Sequence, residues 1–141
     1  LESGFNQLAW SLRTDPRVLS QEGCDIRFLH DLVDPEVRVV VADLSFISLN
    51  RMLPFILKIV PKQDIDFILL CKPQFELEVR AIPEGGVVDD PALREEAIKL
   101  VAKALERDGL ILQKAVPSRV HGHDGNQEVF VHARFRIESL A

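Results

Sequence analysis

The chain has 141 residues, of which 47% are hydrophobic and 28% are charged, and its formal net charge is −5. This size and composition allow one domain with a sizeable core, and the acidic balance excludes a general attraction to nucleic acids or acidic membranes. We therefore expect a single domain over residues 1–141, in which contact with a polyanion would depend on a local basic patch.

The first predicted element is a short helix, in which Phe5, Leu8 and Leu12 recur at helical spacing. Trp10 lies on another face of this helix, and we expect its indole to pack against the protein rather than to stack on a base. Further along, Val18-Leu19 is a candidate for a short strand.

Two apolar runs predict the central strands of a sheet. Residues 37–42 and 65–71 are nearly continuous in Val, Ile and Leu, which is typical of parallel strands that are buried on both faces. Asp43 follows the first run and Lys72 follows the second. Because open α/β sheets bind ligands at the carboxyl ends of their strands, we expect chemistry at these two residues. Taken alone, the aspartate is also a common helix cap and the lysine a common solvated strand end.

An amphipathic helix is predicted between these two strands. Ser45 or Ser48 is suited to cap it, and Pro54 inside the pattern predicts a kink or a later start. The apolar residues form one stripe, which we interpret as core: Leu49, Met52, Leu53, Leu57 and Val60.

The segment after the second strand predicts a loop and then a helix. Residues 73–89 have few periodic signals, and their Gly85-Gly86 pair neither follows a strand directly nor opens a helix, so it is not a phosphate-binding fingerprint. Asp90 is suited to cap a helix that has Pro91 at its first position and that Gly109 ends.

Two strands are predicted at the end of the chain, over residues 110–115 and from Glu128 to about Arg136. In the second of them, Val129, Val131, Ala133 and Phe135 alternate with Phe130, His132 and Arg134. The order of all these elements predicts an α/β fold with a doubly wound, Rossmann-like sheet, mostly parallel and with an antiparallel closing strand.

Metal, disulfide and membrane signals are weak. His121, His123 and Asp124 form a partial ligand set, but no further ligand follows at a suitable spacing, so we predict a polar loop and no metal site. Cys24 and Cys71 do not suggest a disulfide framework. No apolar run approaches the roughly 20 residues of a membrane span and no signal peptide is evident, so we expect a cytoplasmic protein.

Five motifs along the chain resemble one family when they are taken in order. They are residues 7–13 (QLAWSLR) with 15–18 (DPRV), 42–49 (ADLSFISL), 72–76 (KPQFE), 85–88 (GGVV) with 90–91 (DP), and 125–126 (GN) with Glu128. In this order they resemble the carboxyl-terminal two-thirds of the methyltransferase domain of TlyA-type proteins, which belong to the FtsJ-like class. The resemblance implies methylation of ribose 2′-hydroxyls in ribosomal RNA with S-adenosylmethionine as cofactor, although the family often carries a haemolysin label.

The resemblance also implies roles for individual residues. Asp43, Lys72 and Glu128 match three members of the family's Lys-Asp-Lys-Glu tetrad, and Glu2 falls where the family has an acid that holds the cofactor ribose. A ribose hydroxyl is a poor nucleophile and must lose its proton as the new bond forms, and Lys72 would accept this proton if desolvation or a neighbouring cation lowered its pKa. Asp43 would orient the lysine and favour the cofactor's sulfonium, and Glu128 would hold the lysine or the sugar.

The chain also departs from the family pattern. The strand, glycine-rich turn and helix that cradle the cofactor in the family are absent here, together with the first lysine of the tetrad. We therefore expect a partial sheet that lacks its first strands, exposes strand edges and binds the cofactor poorly by itself. Pro83, Glu84 and Asp89 occupy positions that are usually basic in the family, which weakens the case for an RNA surface there.

Two other functions remain open from the sequence. One is a non-catalytic relic of such a domain, which would bind protein or form homo-oligomers through its exposed sheet edge. The other is a membrane-active protein, as the haemolysin label suggests, but no amphipathic cationic helix supports it.

Overall fold

The computed structural model describes residues 1–31 and 33–135, which form a mixed four-stranded sheet and several helices. The strands are β1 (Val39–Ala42), β2 (Asp66–Cys71), β3 (Leu110–Pro117) and β4 (Val129–Phe135), in the spatial order β1-β2-β4-β3. The α-helices are α1 (Trp10–Arg13), α2 (Leu49–Ile59), α3 (Pro73–Glu76) and α4 (Pro91–Arg107). Two 3₁₀ turns lie at Ile26–Phe28 and Val79–Ala81.

The strand directions agree with the predicted partial Rossmann-like sheet. β1 and β2 pair in parallel, whereas β4 runs antiparallel to both β2 and β3. Three of the four described strands therefore point the same way. The antiparallel strand lies inside the sheet, between β2 and β3, although it comes last in the described chain.

The core lies between one face of the sheet and the helices α2 and α4, which also pack on each other. Alternate residues of the strands point into it, among them Phe67, Leu69, Val131 and Ala133. This pattern confirms the alternation predicted for β4, although Arg136 lies outside the described residues. Among the described residues, no helix has the length and apolarity that a membrane span requires.

β1 differs from the prediction in its burial. The side chains of Val39 and Val41 are 53% and 74% exposed, so the expectation of a strand buried on both faces is wrong here. β1 pairs only with β2 among the described strands and therefore lies at an edge of the sheet. The face that bears these valines is the one opposite α2 and α4.

Most residues of the apolar stripe predicted for α2 are buried, but the helix starts earlier than the later start predicted from Pro54. Leu49, Met52 and Leu53 are buried, and the Ser48 hydroxyl accepts a hydrogen bond from the Arg51 backbone amide at 3.3 Å. The predicted later start is wrong, because the helix begins at Leu49 and contains Pro54.

An arginine from α4 compensates for the proline inside α2. Pro54 has no backbone N–H, so the carbonyl of Asn50, four residues earlier, loses its helical donor. The Arg107 guanidinium donates to this carbonyl at 3.0 Å and also bonds the Asn50 side chain. A side chain from another element therefore takes the place of the missing backbone bond.

The amino-terminal segment corrects three predictions. α1 has only four residues and begins after Ala9, so Phe5 and Leu8 lie outside it. Trp10 is exposed instead of packed, and no strand forms at Val18-Leu19. The segment is held by its own backbone bonds, such as Glu2 N–H to the Gln21 carbonyl at 2.9 Å, and no described strand pairs with it.

The predictions for the chain after β2 agree with the structure more closely than those for the amino-terminal segment. Asp90 caps α4 by accepting from the Ala92 amide at 2.8 Å, Pro91 is its first residue, and Gly109 has a φ of +83° just beyond its end. Residues 73–89 are less irregular than predicted, because they contain α3 and the turn Val79–Ala81.

We expect Arg107→Ala to lower the free energy of unfolding by about 1 kcal/mol, because it leaves the Asn50 carbonyl without a donor. In a Pro54→Ala background, Arg107→Ala should lower the free energy of unfolding by less, since the introduced alanine supplies the backbone N–H that proline lacks. Urea unfolding of the four proteins in this double-mutant cycle measures the coupling. An equal loss of unfolding free energy in both backgrounds would show that Arg107 does not compensate for Pro54.

Candidate functional site

The carboxyl ends of β1 and β2 bring the first two predicted site residues together. Asp43 directly follows β1 and Lys72 directly follows β2, and the parallel pairing places both ends at one rim of the sheet. The Lys72 Nζ lies 2.7 Å from Asp43 Oδ1 and donates to the Ser45 hydroxyl at 3.1 Å. The two charges therefore form a close ion pair.

Glu128 reaches the same rim from the opposite chain direction. β4 is antiparallel to β2 and pairs Val129 with Cys71, so the residue that precedes β4 lies beside the residue that follows β2. Glu128 Oε1 is 4.0 Å from Lys72 Nζ. The structure thus brings together Asp43, Lys72 and Glu128, as the sequence predicted.

Burial differs among these three side chains. The side chains of Lys72 and Glu128 are 12% and 14% exposed, whereas that of Asp43 is 69% exposed. A largely buried amine therefore lies between one carboxylate that is also largely buried and one that faces solvent. Such a group can hold a hydroxyl by hydrogen bonding and exchange a proton with it.

The backbone of Gly122 approaches Glu128 closely. A Cβ at this position would lie 2.7 Å from Glu128 Oε1 and 3.1 Å from Asp124 Oδ1, so the Glu128 carboxylate would have to move to make room for it. The polar loop between β3 and β4 therefore packs its backbone against the Glu128 carboxylate.

Asn126 ties two loops together beside the site. It is fully buried, its Oδ1 accepts from the Val88 amide at 2.8 Å, and its Nδ2 donates to the Gly86 carbonyl and to Asp124 Oδ2, each at 2.9 Å. The glycine-rich loop is thus held to the loop that precedes Glu128. The Gly125-Asn126 motif signalled this residue but not its role.

Phe46 is an aromatic residue at the rim that the sequence analysis did not single out. Its side chain is 89% exposed, its φ is +64°, and its ring centroid lies 5.3 Å from that of Phe75. A positive φ is strained for a bulky residue, and such strain is concentrated at functional sites. Its position next to Ser45, just after a strand end, was the available signal.

Two further groups near Lys72 have perturbed protonation. Burial raises the pKa of Glu76 to about 7, against the opposing effect of hydrogen bonds from the Leu49 and Asn50 amides. Burial, with a smaller contribution from Glu76, raises the pKa of the Cys71 thiol to about 12. Cys71 is therefore a neutral core residue at physiological pH and not a nucleophile.

Glu2 is not part of this cluster. Its carboxylate accepts from the Gly4 amide at 2.7 Å, and its backbone bonds to Gln21 and Cys24. Within the described residues, its hydrogen bonds remain in the amino-terminal segment. Over residues 1–31 and 33–135, no group of three or more His, Cys, Asp or Glu side chains is placed to hold a metal ion.

Comparisons with known proteins agree on one family. The family described as FtsJ-like methyltransferase matches residues 1–135. The chain is 41% identical over 136 residues to the 16S/23S rRNA (cytidine-2′-O)-methyltransferase TlyA of Mycobacterium tuberculosis, covering 96% of this chain and 50% of that protein. It is 32% identical to Hemolysin A of Brachyspira hyodysenteriae, covering 94% of this chain and 55% of that protein.

A solved structure supports the same relationship. A Lactococcus lactis protein described as a hemolysin candidate superimposes with a TM-score of 0.83 at 31% identity, covering 94% of this chain and 64% of that one. The chain spans about half the length of the curated relatives that it matches.

Glu76→Gln should flatten the pH dependence of stability. The folded-state pKa of Glu76, about 7, lies above its ordinary value of 4.5, so folding favours the protonated form. The free energy of unfolding of the wild-type chain, relative to the variant, should fall as pH rises from about 4.5 to about 7 and then stay level. The decrease should be at most a few kcal/mol, because one pKa unit corresponds to about 1.4 kcal/mol.

Urea titrations across this pH range measure the difference. The control is Glu95→Gln, which replaces an exposed carboxylate of α4 that pairs with Lys99 at 3.1 Å. Parallel pH profiles for the wild type and Glu76→Gln would show that Glu76 does not titrate in this way.

Proposed function

The chain belongs to the FtsJ-like methyltransferase family, and we propose that it contributes the proton-accepting side of a site that methylates ribose 2′-hydroxyls of ribosomal RNA. The observation that carries this proposal is the placement of Lys72 between Asp43 and Glu128. It is supported by a TlyA relative that is named for cytidine 2′-O-methylation of 16S and 23S rRNA.

Lys72 is the proton acceptor in this proposal. In this proposal Nζ first gives a proton to solvent, then takes the proton of the 2′-hydroxyl as the oxygen becomes nucleophilic, and releases that proton to solvent after the transfer. Asp43 at 2.7 Å orients the lysine from the solvent side. Glu128 at 4.0 Å holds it from the buried side or bonds the sugar.

S-adenosylmethionine is the cofactor of the proposed reaction. The exposed Asp43 carboxylate fits its positive charge, because an opposite charge near a sulfonium is favourable. When bound, this compound supplies the methyl group to the hydroxyl oxygen. Glu2, whose bonds lie in the amino-terminal segment, remains only a predicted contact to the cofactor ribose.

The RNA partner is part of the same proposal. Phe46 presents an exposed ring and follows Ser45, whose hydroxyl accepts from Lys72, and an aromatic face stacks on a base of any sequence. The ring thus offers a platform for a nucleobase whose ribose faces Lys72. A ribosomal RNA substrate also implies the cytoplasmic location that we predicted.

We expect Lys72→Ala to lower methyl transfer by about 100-fold or more, since general base catalysis contributes on this scale. Lys72→Arg should lose similar activity, because a guanidinium keeps the charge but does not accept a proton. The measurement is transfer of labelled methyl groups from S-adenosylmethionine to ribosomal subunits. It uses the chain alone and a chimera in which the chain replaces the matching part of the M. tuberculosis relative.

The control for this experiment is Lys99→Ala, which removes an exposed lysine of α4 and should leave transfer unchanged. Full activity of Lys72→Ala would contradict any chemical role of the lysine. Full activity of Lys72→Arg would show that its charge, and not proton acceptance, is what the reaction needs.

We also propose, as a second function, that the chain forms homo-oligomers through β1. One edge of β1 is unpaired among the described strands, and Val39 and Val41 are exposed, so the strand is a template for pairing with a second copy. The other edge strand, β3, is protected by an irregularity between Leu112 and Lys114 and by Pro117. The membrane-active alternative has only the names of relatives in its favour.

Val41→Lys should abolish self-association, because a lysine in an unpaired edge strand disfavours edge-to-edge pairing with a second copy. Analytical ultracentrifugation over a range of protein concentrations measures it, with the exposed Val79→Lys as the control. A wild-type chain that stays monomeric would contradict this function. Calorimetry with S-adenosylmethionine separates the two functions, since micromolar binding supports the enzyme and no binding supports the interaction module.

A further inference from the structure

Four contacts join the segment after β1 to the segment after β2 in matching order. We call them the rim ladder: Asp43 to Lys72 at 2.7 Å, Ser45 to Lys72 at 3.1 Å, the Phe46 ring to the Phe75 ring at 5.3 Å between centroids, and the Leu49 amide to Glu76 Oε1 at 2.8 Å. Both segments leave neighbouring parallel strands in the same direction. Successive residues of one segment therefore contact successive residues of the other.

Glu76 forms the last contact of the rim ladder and the one that reaches into a long helix. Its carboxylate extends from α3 and accepts a hydrogen bond from Leu49, the first residue of α2. The first amides of a helix have no partner within the helix, and the positive end of the helix dipole favours an acceptor there. Ser48 already accepts from the Arg51 amide, so Glu76 binds a different amide.

Lys72 and Glu76 are held at a fixed spacing by a single helical turn. Lys72 is the N-cap residue of α3, and its carbonyl accepts from the Phe75 amide at 2.9 Å. The Leu77 amide closes the turn by donating to the Pro73 carbonyl at 3.1 Å. A shift of Glu76 relative to α2 is therefore transmitted to Lys72.

We propose that Glu76 is a positioning residue, which sets the separation of Asp43 and Lys72 by anchoring α3 to the start of α2. This inference deepens the proposed function, because it assumes that the pair takes part in methyl transfer. Glu76 acts through its oxygen acceptor, so its charge is not needed. A glutamine offers the same Oε1 at the same reach, whereas a methionine offers similar length without an acceptor.

The test compares Glu76→Gln with Glu76→Met. NMR of the chain follows the side-chain Cε and Nζ signals of Lys72, assigned through Lys72→Arg, and the exchange of the Leu49 amide. We expect Glu76→Met to shift the Lys72 signals and to speed Leu49 exchange about tenfold, and Glu76→Gln to leave both near wild type. In the methyl-transfer assay, kcat should fall about tenfold in Glu76→Met with KM for RNA unchanged, since small displacements of reacting groups are costly.

One result overturns the inference directly. If Glu76→Met speeds Leu49 exchange but leaves the Lys72 signals and kcat at wild-type values, then Glu76 is only a helix cap. If Glu76→Met does not fold, Glu76→Asp replaces it, because the shorter side chain keeps the charge but loses the reach. Glu76→Asp should then shift the Lys72 signals, and unchanged signals would overturn the inference.

The NMR and activity measurements also separate this inference from the function on which it rests. If no form of the chain or the chimera transfers methyl groups, the proposed function fails. The Lys72 signals still decide whether Glu76 sets the separation of the Asp43–Lys72 pair.

Discussion

The parallel pairing of β1 with β2 is the constraint on which the rest of the site depends. Parallel neighbours end at the same rim of the sheet, so Asp43 and Lys72 come together although a whole helix lies between them in the chain. The pairing also sends two segments away from the rim side by side. Every contact of the rim ladder follows from that common direction.

The antiparallel strand β4 completes the site from the other side. Because it pairs antiparallel with β2, its first residues lie next to the last residues of β2. Glu128 can therefore face Lys72 from a largely buried position, while Asp43 faces it from a solvent-exposed one. Asn126 ties the glycine-rich loop to the loop that precedes Glu128, and the Gly122 backbone lies close to the Glu128 carboxylate.

The same arrangement of strands and helices explains why β1 is exposed to solvent. α2 and α4 cover one face of the sheet. The hydrogen bond from Arg107 to the Asn50 carbonyl allows α2 to continue past Pro54. The valines of β1 lie on the opposite face and at an edge, where no described element covers them. This exposed apolar edge is compatible with both proposed functions, because another protein surface could cover β1 without displacing Lys72.

The sequence by itself determined the local features and the pairing of charges. Asp90, Pro91 and Gly109 set the bounds of α4 through capping and backbone geometry, and the strand-end positions of Asp43 and Lys72 predicted their meeting. Only the tertiary structure decided the exposure of β1, the shortness of α1 and the hydrogen bond from the Leu49 amide to Glu76. These depend on which elements lie beside one another, and burial and long-range hydrogen bonds leave no periodic signal in a single chain.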